Sequence, residues 1–256
     1  MSPENLPGLA AVVSPLNGDL LLRPVRGGNT YEETVERLLQ TIRLGLALPG
    51  VQLPPERELA TMLDVSRDTV RMAISSLVDA GYLIVKRGRY GGTFVAETLP
   101  EKPLRMGRDG ELTHHVDFTH DELEDVLILR EILECGAAHH AATRSLSSVD
   151  RENLWSVLKE TSEASPENYR MLDSRLHLLI AELTGSPSLL SQVATSRMRL
   201  NELLDGIPLL PPNISHSNEQ HEAIVLAILT GDGDKASAAM ADHVSGSAAL
   251  LRGFLG

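Results

Sequence analysis

Four side chains in the second half of the chain have the types and spacing of a metal site. Asp173 and His177 lie four positions apart, so on a helix they share one face. His221 and His243 follow in later segments that also have helical patterns. One carboxylate and three imidazoles suit Zn²⁺, Ni²⁺ or Mn²⁺ and leave positions open for water or a ligand oxygen. These residues therefore predict a site for one divalent metal ion.

The residues around these histidines favour an inward location, because leucines and isoleucines flank both His177 and His221. Taken singly, each histidine also fits a surface position or a hydrogen-bonded core position. Asp173 and His177 could equally form a helix-surface pair that adds little stability. Spacing along the chain leaves both interpretations open, because the convergence of separate helices is a property of the tertiary structure.

A second group of residues, in the first third of the chain, is arranged for contact with DNA. Two helical patterns separated by a turn are followed by two strand-like runs around the glycine-rich segment 88–92. This order is typical of a winged helix-turn-helix, whose second helix enters the major groove with its N-terminal residues. Ser66 is the predicted cap of that helix. Arg67, Thr69 and Arg71 lie at its N-terminal end, where arginine can bond guanine in a bidentate manner.

Further candidate contacts flank this helix. Arg57, on the preceding helix, could bind phosphate or a base edge, and basic residues surround the tip of the wing. The predicted DNA-binding set is Arg57, Ser66, Arg67, Thr69, Arg71, Arg87, Gly88 and Arg89. In the alternative interpretation, Arg67 and Arg71 pair with Asp64 or Asp68 on a solvated surface. The ordered combination of three helices, a basic turn and a basic wing favours DNA contact.

The elements that must position these residues divide the chain into four regions. We predict a mobile arm at 1–25, a winged helix-turn-helix at 26–96, a linker at 97–118 and an all-helical domain at 119–256. Capping residues and glycines place the later helices at about 119–144, 148–163, 166–184, 187–204, 218–230 and 233–252. No strand pattern follows residue 96. The predicted fold is mainly α, with a small β-hairpin wing and a C-terminal helical bundle.

Composition and charge are consistent with this division. The net charge of −12 lies in the C-terminal region, since residues 26–96 hold 9 Lys and Arg against 8 Asp and Glu. A near-neutral head can bind DNA where its arginines gather on one face. The single cysteine, Cys135, excludes an internal disulfide and favours a cytoplasmic location. No apolar run approaches the ~18 residues of a membrane span, so we expect no membrane partner.

The run PGVQLPPERELATMLDVSRDTVRMAISSLVDAGYLIVKRGRYGGTFV, which begins at Pro49, resembles the DNA-binding domain of GntR-family bacterial transcription regulators. The resemblance implies that Arg57, Arg67 and Arg71 contact DNA and that Arg87 and Gly88 form the wing contact. Asp68 departs from the family pattern, which often has a small or hydroxyl residue at this position.

The rest of the chain resembles the all-helical FCD-type effector domain of the FadR branch, in its six-helix, metal-containing version. The matching phrases are LREILECGAAHHAA, MLDSRLHLLIAELTGSP and NEQHEAIVLAILTGDGDKASAAMADH. The resemblance implies that Asp173, His177, His221 and His243 hold the metal, which helps to bind a small carboxylate effector. Arg130 is a candidate second contact for that carboxylate, because guanidinium pairs with it in a bidentate manner. Its alternative role is a structural ion pair with Glu131 or Glu134, or a bridge between helices. Arg197, Arg199 and Asn201 could also reach the pocket, and the sequence does not rank them.

The expected function is a ligand-responsive transcription regulator and not an enzyme. A homodimer would read an inverted-repeat operator in double-stranded DNA, since a two-fold protein matches a palindrome. A small organic acid would change operator affinity by shifting the population of head arrangements, and the resemblance implies repression that the acid relieves. The alternatives are a sensor for which the metal ion is the signal and a metal-dependent hydrolase.

Overall fold

The computed structural model describes residues 30–88, 91–100 and 118–255, together with the backbone of residues 105–106 and 112–113. The predicted arm at 1–25, most of the predicted linker and Arg89 lie outside the described residues. Within the described ranges, the chain forms nine α-helices and four short strands. None of the described helices is both long and apolar enough to cross a membrane.

The N-terminal part is a winged helix-turn-helix, as the sequence predicts. Its elements are α1 (Thr30–Arg43), α2 (Glu56–Leu63), α3 (Arg67–Asp79), β1 (Leu83–Lys86) and β2 (Gly92–Val95). The helices bury apolar residues at helical spacing around one core, which includes Leu38, Leu59, Leu63, Val70 and Leu77. The two strands pair antiparallel from Leu83 opposite Val95 to Lys86 opposite Gly92. Gln52 adds an isolated bridge to Phe94.

Local capping fixes where α3 begins. The Ser66 side chain accepts a hydrogen bond from the Thr69 backbone N–H at 3.0 Å, which confirms the predicted cap. The turn before it places Asp64 in the left-handed conformation, with φ of 55°. Helix α2 begins at Glu56, directly after Pro55. The turn and cap together set the direction in which α3 leaves the core.

The C-terminal part is a bundle of six helices. They are α4 (His120–Thr143), α5 (Ser148–Ser162), α6 (Pro166–Leu183), α7 (Pro187–Leu204), α8 (Pro211–Thr230) and α9 (Gly233–Leu255). Helix α4 begins with the predicted capping box of Thr119 and Glu122 and contacts α6, α7, α8 and α9. Small alanines on its buried face, such as Ala138 and Ala141, let the neighbouring helices approach closely. A central α4 therefore offers its inward side chains to several helices at once.

Two features differ from the sequence-based expectation. Helix α8 begins at Pro211 and not near residue 218. Proline fits the first turn of a helix, because the N–H that it lacks has no intrahelical partner there. Strands β3 (Arg105–Met106) and β4 (Leu112–Thr113) pair antiparallel in a region where no strand was predicted. Two-residue strands are too short to give a detectable alternation.

Candidate functional site

The structure brings the four predicted metal ligands together inside the helical bundle. Asp173 and His177 come from successive turns of α6, His221 comes from α8 and His243 from α9. One ligand atom from each of the four side chains lies within 4.8 Å of the others, and all four side chains are buried. His221 Nε2 lies 3.1 Å and His177 Nε2 lies 3.8 Å from Asp173 Oδ1. Ligands bound to one ion at ~2.0–2.2 Å stand roughly this far apart.

Side chains next to the cluster orient two of the imidazoles so that they could bind an ion. His177 Nδ1 lies 2.9 Å from Glu134 Oε2, and His243 Nδ1 lies 3.2 Å from Gln220 Oε1. A carboxylate or carbonyl oxygen beside Nδ1 favours the tautomer that leaves the Nε2 lone pair free for a metal. In addition, His177 Nε2 and His221 Nδ1 are buried without a hydrogen-bond partner. Such unpaired buried nitrogens are costly in a protein, and an ion would satisfy them.

The protonation states also suit a metal site. Burial would raise the pKa of Asp173, but the Arg197 guanidinium and the nearby imidazoles outweigh this effect and hold the pKa well below its usual value. Burial lowers the pKa of His177, although Glu134 opposes the shift. Burial and the neighbouring imidazoles lower the pKa of His243 well below its usual value. At neutral pH the carboxylate is ionised and these two imidazoles are neutral, as metal ligands must be.

A buried network of charged residues borders the four ligands. The Arg130 side chain is only 2% exposed; its Nε donates to Glu134 at 3.2 Å and its Nη1 donates to Ser247 Oγ at 2.5 Å. Its Nη2 lies 3.5 Å from His243 Nε2. Arg130 therefore makes the ion pair with Glu134 that was its alternative role and also reaches the metal ligands. The two roles are compatible, because different guanidinium nitrogens serve them.

Arg197 and Glu134 complete this network. The sequence indicated Arg197 only as one of three unranked candidates and Glu134 only as a possible ion-pair partner of Arg130. Arg197 is fully buried and donates a short hydrogen bond to Asp173. Its second terminal nitrogen lies 3.5 Å from Glu134. A signal for Glu134 was present in the sequence, since it lies one turn after Arg130 on the apolar side of α4. Of two other arginine and asparagine candidates on α7, Arg199 pairs with Asp125 near the surface and Asn201 donates to Ser174.

A cavity of about 260 Å³ opens beside the four ligands. Arg130, Asp173 and His243 form part of its wall, so the polar end of the cavity is the metal-ligand cluster itself. The remaining wall comes mainly from the end of α7, the loop before α8 and the first turns of α8. A site with an open coordination position and a guanidinium beside it can hold a carboxylate through both.

The predicted DNA contacts on α2 and α3 face the surface. Arg57, Arg67 and Arg71 are exposed, and no described residue makes a hydrogen bond or ion pair with the guanidinium group of Arg57 or Arg67. Arg71 lies 3.1 Å from Asp68 and 3.4 Å from Glu56. The pairing with Asp68 is the alternative that the sequence left open. Asp68 is exposed and Glu56 is partly exposed, so the pairs are weak, and a phosphate or a base edge could displace them.

The smaller polar residues of this surface have local roles. The hydroxyls of Ser66 and Thr69 lie 2.8 Å apart, so both take part in the cap of α3. At the wing, Arg87 and Gly88 are exposed, and Gly88 has φ of 107°, a conformation that favours glycine. Lys86 lies over the Phe94 ring at 4.5 Å. Arg89, the remaining predicted contact, lies outside the described residues.

Comparison with known proteins agrees with both halves of the structure. Residues 30–95 match the family described as "Bacterial regulatory proteins, gntR family", and residues 125–246 match the FCD domain. A protein of Escherichia coli (strain K12), named as an L-lactate dehydrogenase operon regulatory protein, is 34% identical over 77% of this chain and 76% of its own length. The HTH-type transcriptional repressor NanR of Salmonella arizonae is 29% identical over 91% of this chain and 88% of its own length.

The structure of E. coli McbR/YncC covers 88% of this chain and 98% of its own, with a TM-score of 0.52 and 18% sequence identity. That likeness concerns the fold alone. The relatives found by sequence show the family, because the first of them is 34% identical and aligns with about three quarters of each chain. The chain therefore belongs to the GntR family and is a DNA-binding transcription regulator that joins a GntR winged helix-turn-helix to an FCD domain.

Proposed function

We propose that this regulator binds a divalent metal ion at Asp173, His177, His221 and His243, and that a small carboxylate bound beside the ion changes operator affinity. The observation that carries the proposal is the buried cluster of four ligand side chains, with unpaired imidazole nitrogens, at the end of an open cavity. When bound, the ion supplies a Lewis-acidic position for a carboxylate oxygen. Zn²⁺, Ni²⁺ and Mn²⁺ all suit this ligand set.

Arg130 and Glu134 have different roles in the proposed binding of the carboxylate. Arg130 presents its terminal nitrogens next to His243 and Ser247 at the cavity wall. Glu134 binds the opposite side of the same guanidinium, which keeps its orientation fixed. Glu134 also faces His177 Nδ1, so one carboxylate positions both an arginine and a metal ligand. A carboxylate bound at the cavity wall would replace the contacts that Arg130 makes with Ser247 and His243.

The DNA-binding half supports a second part of the proposal. Arg57, Arg67 and Arg71 form an exposed basic surface around the N-terminal end of α3, with Arg87 and Gly88 at the wing. We propose that α3 enters the major groove and that two chains bind an inverted repeat as a homodimer. The relative NanR is named as a repressor, which supports repression as the sign of regulation.

The two halves touch close to the cavity, which offers a path for the effect of the acid. Arg43, the last residue of α1, donates to Asp205 Oδ2 at 2.9 Å. Arg170, which lines the cavity, donates to Asp205 Oδ1 at 2.7 Å and to the Ile207 carbonyl at 2.9 Å. Asp205 thus joins the cavity wall to the DNA-binding half. An acid that moves this wall changes the contact between Asp205 and Arg43 of α1. The free energy that couples two binding sites in this way is typically about 1–3 kcal/mol.

The experiment uses the full-length protein and a DNA duplex selected by it from a randomised pool. Operator affinity is measured by fluorescence anisotropy for the metal-free protein, for the Zn²⁺-loaded protein and for the loaded protein with acetate, lactate, hexanoate or gluconate. We expect a selected inverted repeat and an acid-dependent change in affinity of about 5–150-fold in the loaded protein only.

Two outcomes would contradict the proposal in different ways. A change of affinity that follows Zn²⁺ alone, with no further effect of any acid, would make the ion itself the signal. Equal affinity in all samples, with a higher melting temperature in the loaded protein, would make the metal structural.

A further inference from the structure

We infer that the effector is a monocarboxylate with an apolar carbon body of about six to nine carbons, such as an aryl acid or a branched or straight-chain aliphatic acid, and not a polyhydroxylated acid. This inference rests on the proposed function and specifies the chemistry of its ligand. The inference is based on the part of the cavity that lies away from the metal ligands.

That part of the wall is built from aliphatic side chains. Helix α7 contributes Leu200 and Leu204, and α9 contributes Leu250. The loop between α7 and α8 contributes Ile207 and its neighbours Pro208, Leu209 and Leu210. Leu200 is fully buried, whereas Leu210 stays 39% exposed in the free protein. A ligand carbon that covers this wall gains free energy by removing apolar surface from water.

Four of the polar side chains of the wall are already engaged with protein partners. The Tyr169 hydroxyl donates to Asn218 at 3.2 Å, and Gln220 binds His243. Arg170 is held by Asp205, and the Ser247 hydroxyl lies within 3.3 Å of backbone carbonyls on its own helix. The remaining polar side chains of this part of the wall, Asn213, His216 and Ser217, all lie in the first turns of α8. The hydroxyl groups of a sugar acid that face the aliphatic wall would therefore have no partners, and buried hydroxyls without partners are costly.

The size of the cavity agrees with this class of ligand. An apolar protein cavity of about 150 Å³ is large enough to bind benzene. The present cavity of about 260 Å³ has room for a ring or a six-carbon chain in addition to a carboxylate. Arg170, the other arginine of the wall, is paired with Asp205. The charged end beside Arg130 and His243 therefore matches a ligand with one carboxylate at one end.

Hexanoate and gluconate test the inference, because both are six-carbon monocarboxylates and they differ in their hydroxyl groups. Isothermal titration calorimetry of the Zn²⁺-loaded full-length protein measures the dissociation constant of each acid. Acetate is the control, because it has a carboxylate but lacks the longer carbon chain. We expect hexanoate to bind at least about tenfold more tightly than either gluconate or acetate.

A pair of leucine variants locates the effect on the proposed wall. Leu210→Ala should weaken hexanoate binding about three- to tenfold and leave acetate binding and metal content unchanged. Leu226→Ala is the matched control, since Leu226 is 43% exposed on α8 and does not line the cavity. Both side chains are exposed enough that their loss should not unfold the protein.

Three results would overturn the inference. Tighter binding of gluconate than of hexanoate would refute the apolar ligand and leave the proposed carboxylate site intact. Unchanged hexanoate affinity in Leu210→Ala would refute the assignment of this wall. Absence of binding by all three acids to protein with a full complement of metal would overturn the proposed carboxylate site together with this inference.

Discussion

Arg43 and Asp205 form an ion pair at 2.9 Å although 162 positions separate them in the sequence. Arg43 ends the first helix of the DNA-binding half, and Asp205 follows the helix α7 that helps to line the cavity beside Arg130 and Asp173. The Arg43 side chain is only 9% exposed in this contact, so the pair is partly shielded from solvent. We propose that this pair, together with the contact between Arg43 and Glu202 at 4.0 Å, forms a polar link through which a change at the cavity can reach the DNA-binding surface.

Asp205→Asn should therefore uncouple acid binding from DNA binding. Without the carboxylate charge, Arg170 no longer transmits the position of the cavity wall to Arg43. We expect the hexanoate-dependent change in operator affinity to fall below about twofold, while the dissociation constant of hexanoate stays within about twofold of the wild type.

The control for this variant is Asp125→Asn, which removes the surface partner of Arg199 within the helical domain. It should keep the full acid response. A wild-type response in Asp205→Asn would show that coupling runs through other contacts.

Arg67→Ala should abolish specific operator binding without altering the fold. Arg67 is exposed and has no ion-pair partner among the described residues, so its replacement by alanine removes no intramolecular ion pair. Each bidentate arginine–guanine pair contributes about 1–3 kcal/mol of discrimination, and a dimer would lose two such pairs. The measurement is anisotropy with the selected duplex and with a scrambled one. Lys159→Ala removes one positive charge far from this surface and is the control; equal operator affinities in the two variants would remove Arg67 from the DNA-reading set.

Glu134→Gln should weaken metal binding although Glu134 is not one of the four ligands. Its carboxylate faces His177 Nδ1 and also pairs with Arg130. Replacing such an outer partner of a metal-binding histidine typically lowers metal affinity about 10–100-fold. Competition with a chromophoric chelator measures this affinity. Glu131→Gln, at an exposed neighbouring position, is the control. An unchanged Zn²⁺ affinity in Glu134→Gln would contradict the orienting role of this carboxylate.

Cys135 should react slowly with alkylating reagents. Burial, together with the carboxylates of Glu131 and Glu134, raises the pKa of its thiol to about 11. The thiolate is the reactive form, so a raised pKa leaves very little of it at pH 8. We expect iodoacetamide to modify the folded protein about a hundredfold more slowly than the chain in denaturant, as followed by mass spectrometry. Comparable rates in both states would contradict the described burial of this side chain.

Local features of the fold could be predicted from the sequence because their causes are local. The caps at Ser66 and Thr119 depend on side chains within three residues of the helix start. The shared face of Asp173 and His177 follows from the helical repeat. By contrast, the helical pattern predicted a start near residue 218 for α8, although Pro211 is compatible with the first turn of a helix.

Long-range features could not be predicted in this way. Nothing in the spacing of His221 and His243 requires them to meet α6, since their convergence depends on how α8 and α9 pack. Arg197 was only one of several candidates, because a charged residue is usually exposed and its burial against Asp173 is a tertiary contact. The pairing of Arg71 with Glu56 likewise depends on how α2 and α3 meet.

The most direct test of the metal-dependent effector site is the metal content of the purified protein and of His221→Ala, measured by elemental analysis after dialysis against a weak chelator. His140→Ala, which removes an exposed histidine of α4, is the control. The account predicts about one divalent ion per chain in the wild type and in His140→Ala, and almost none in His221→Ala. A wild-type protein that binds no divalent ion after reconstitution, or a His221→Ala variant with full occupancy, would contradict it.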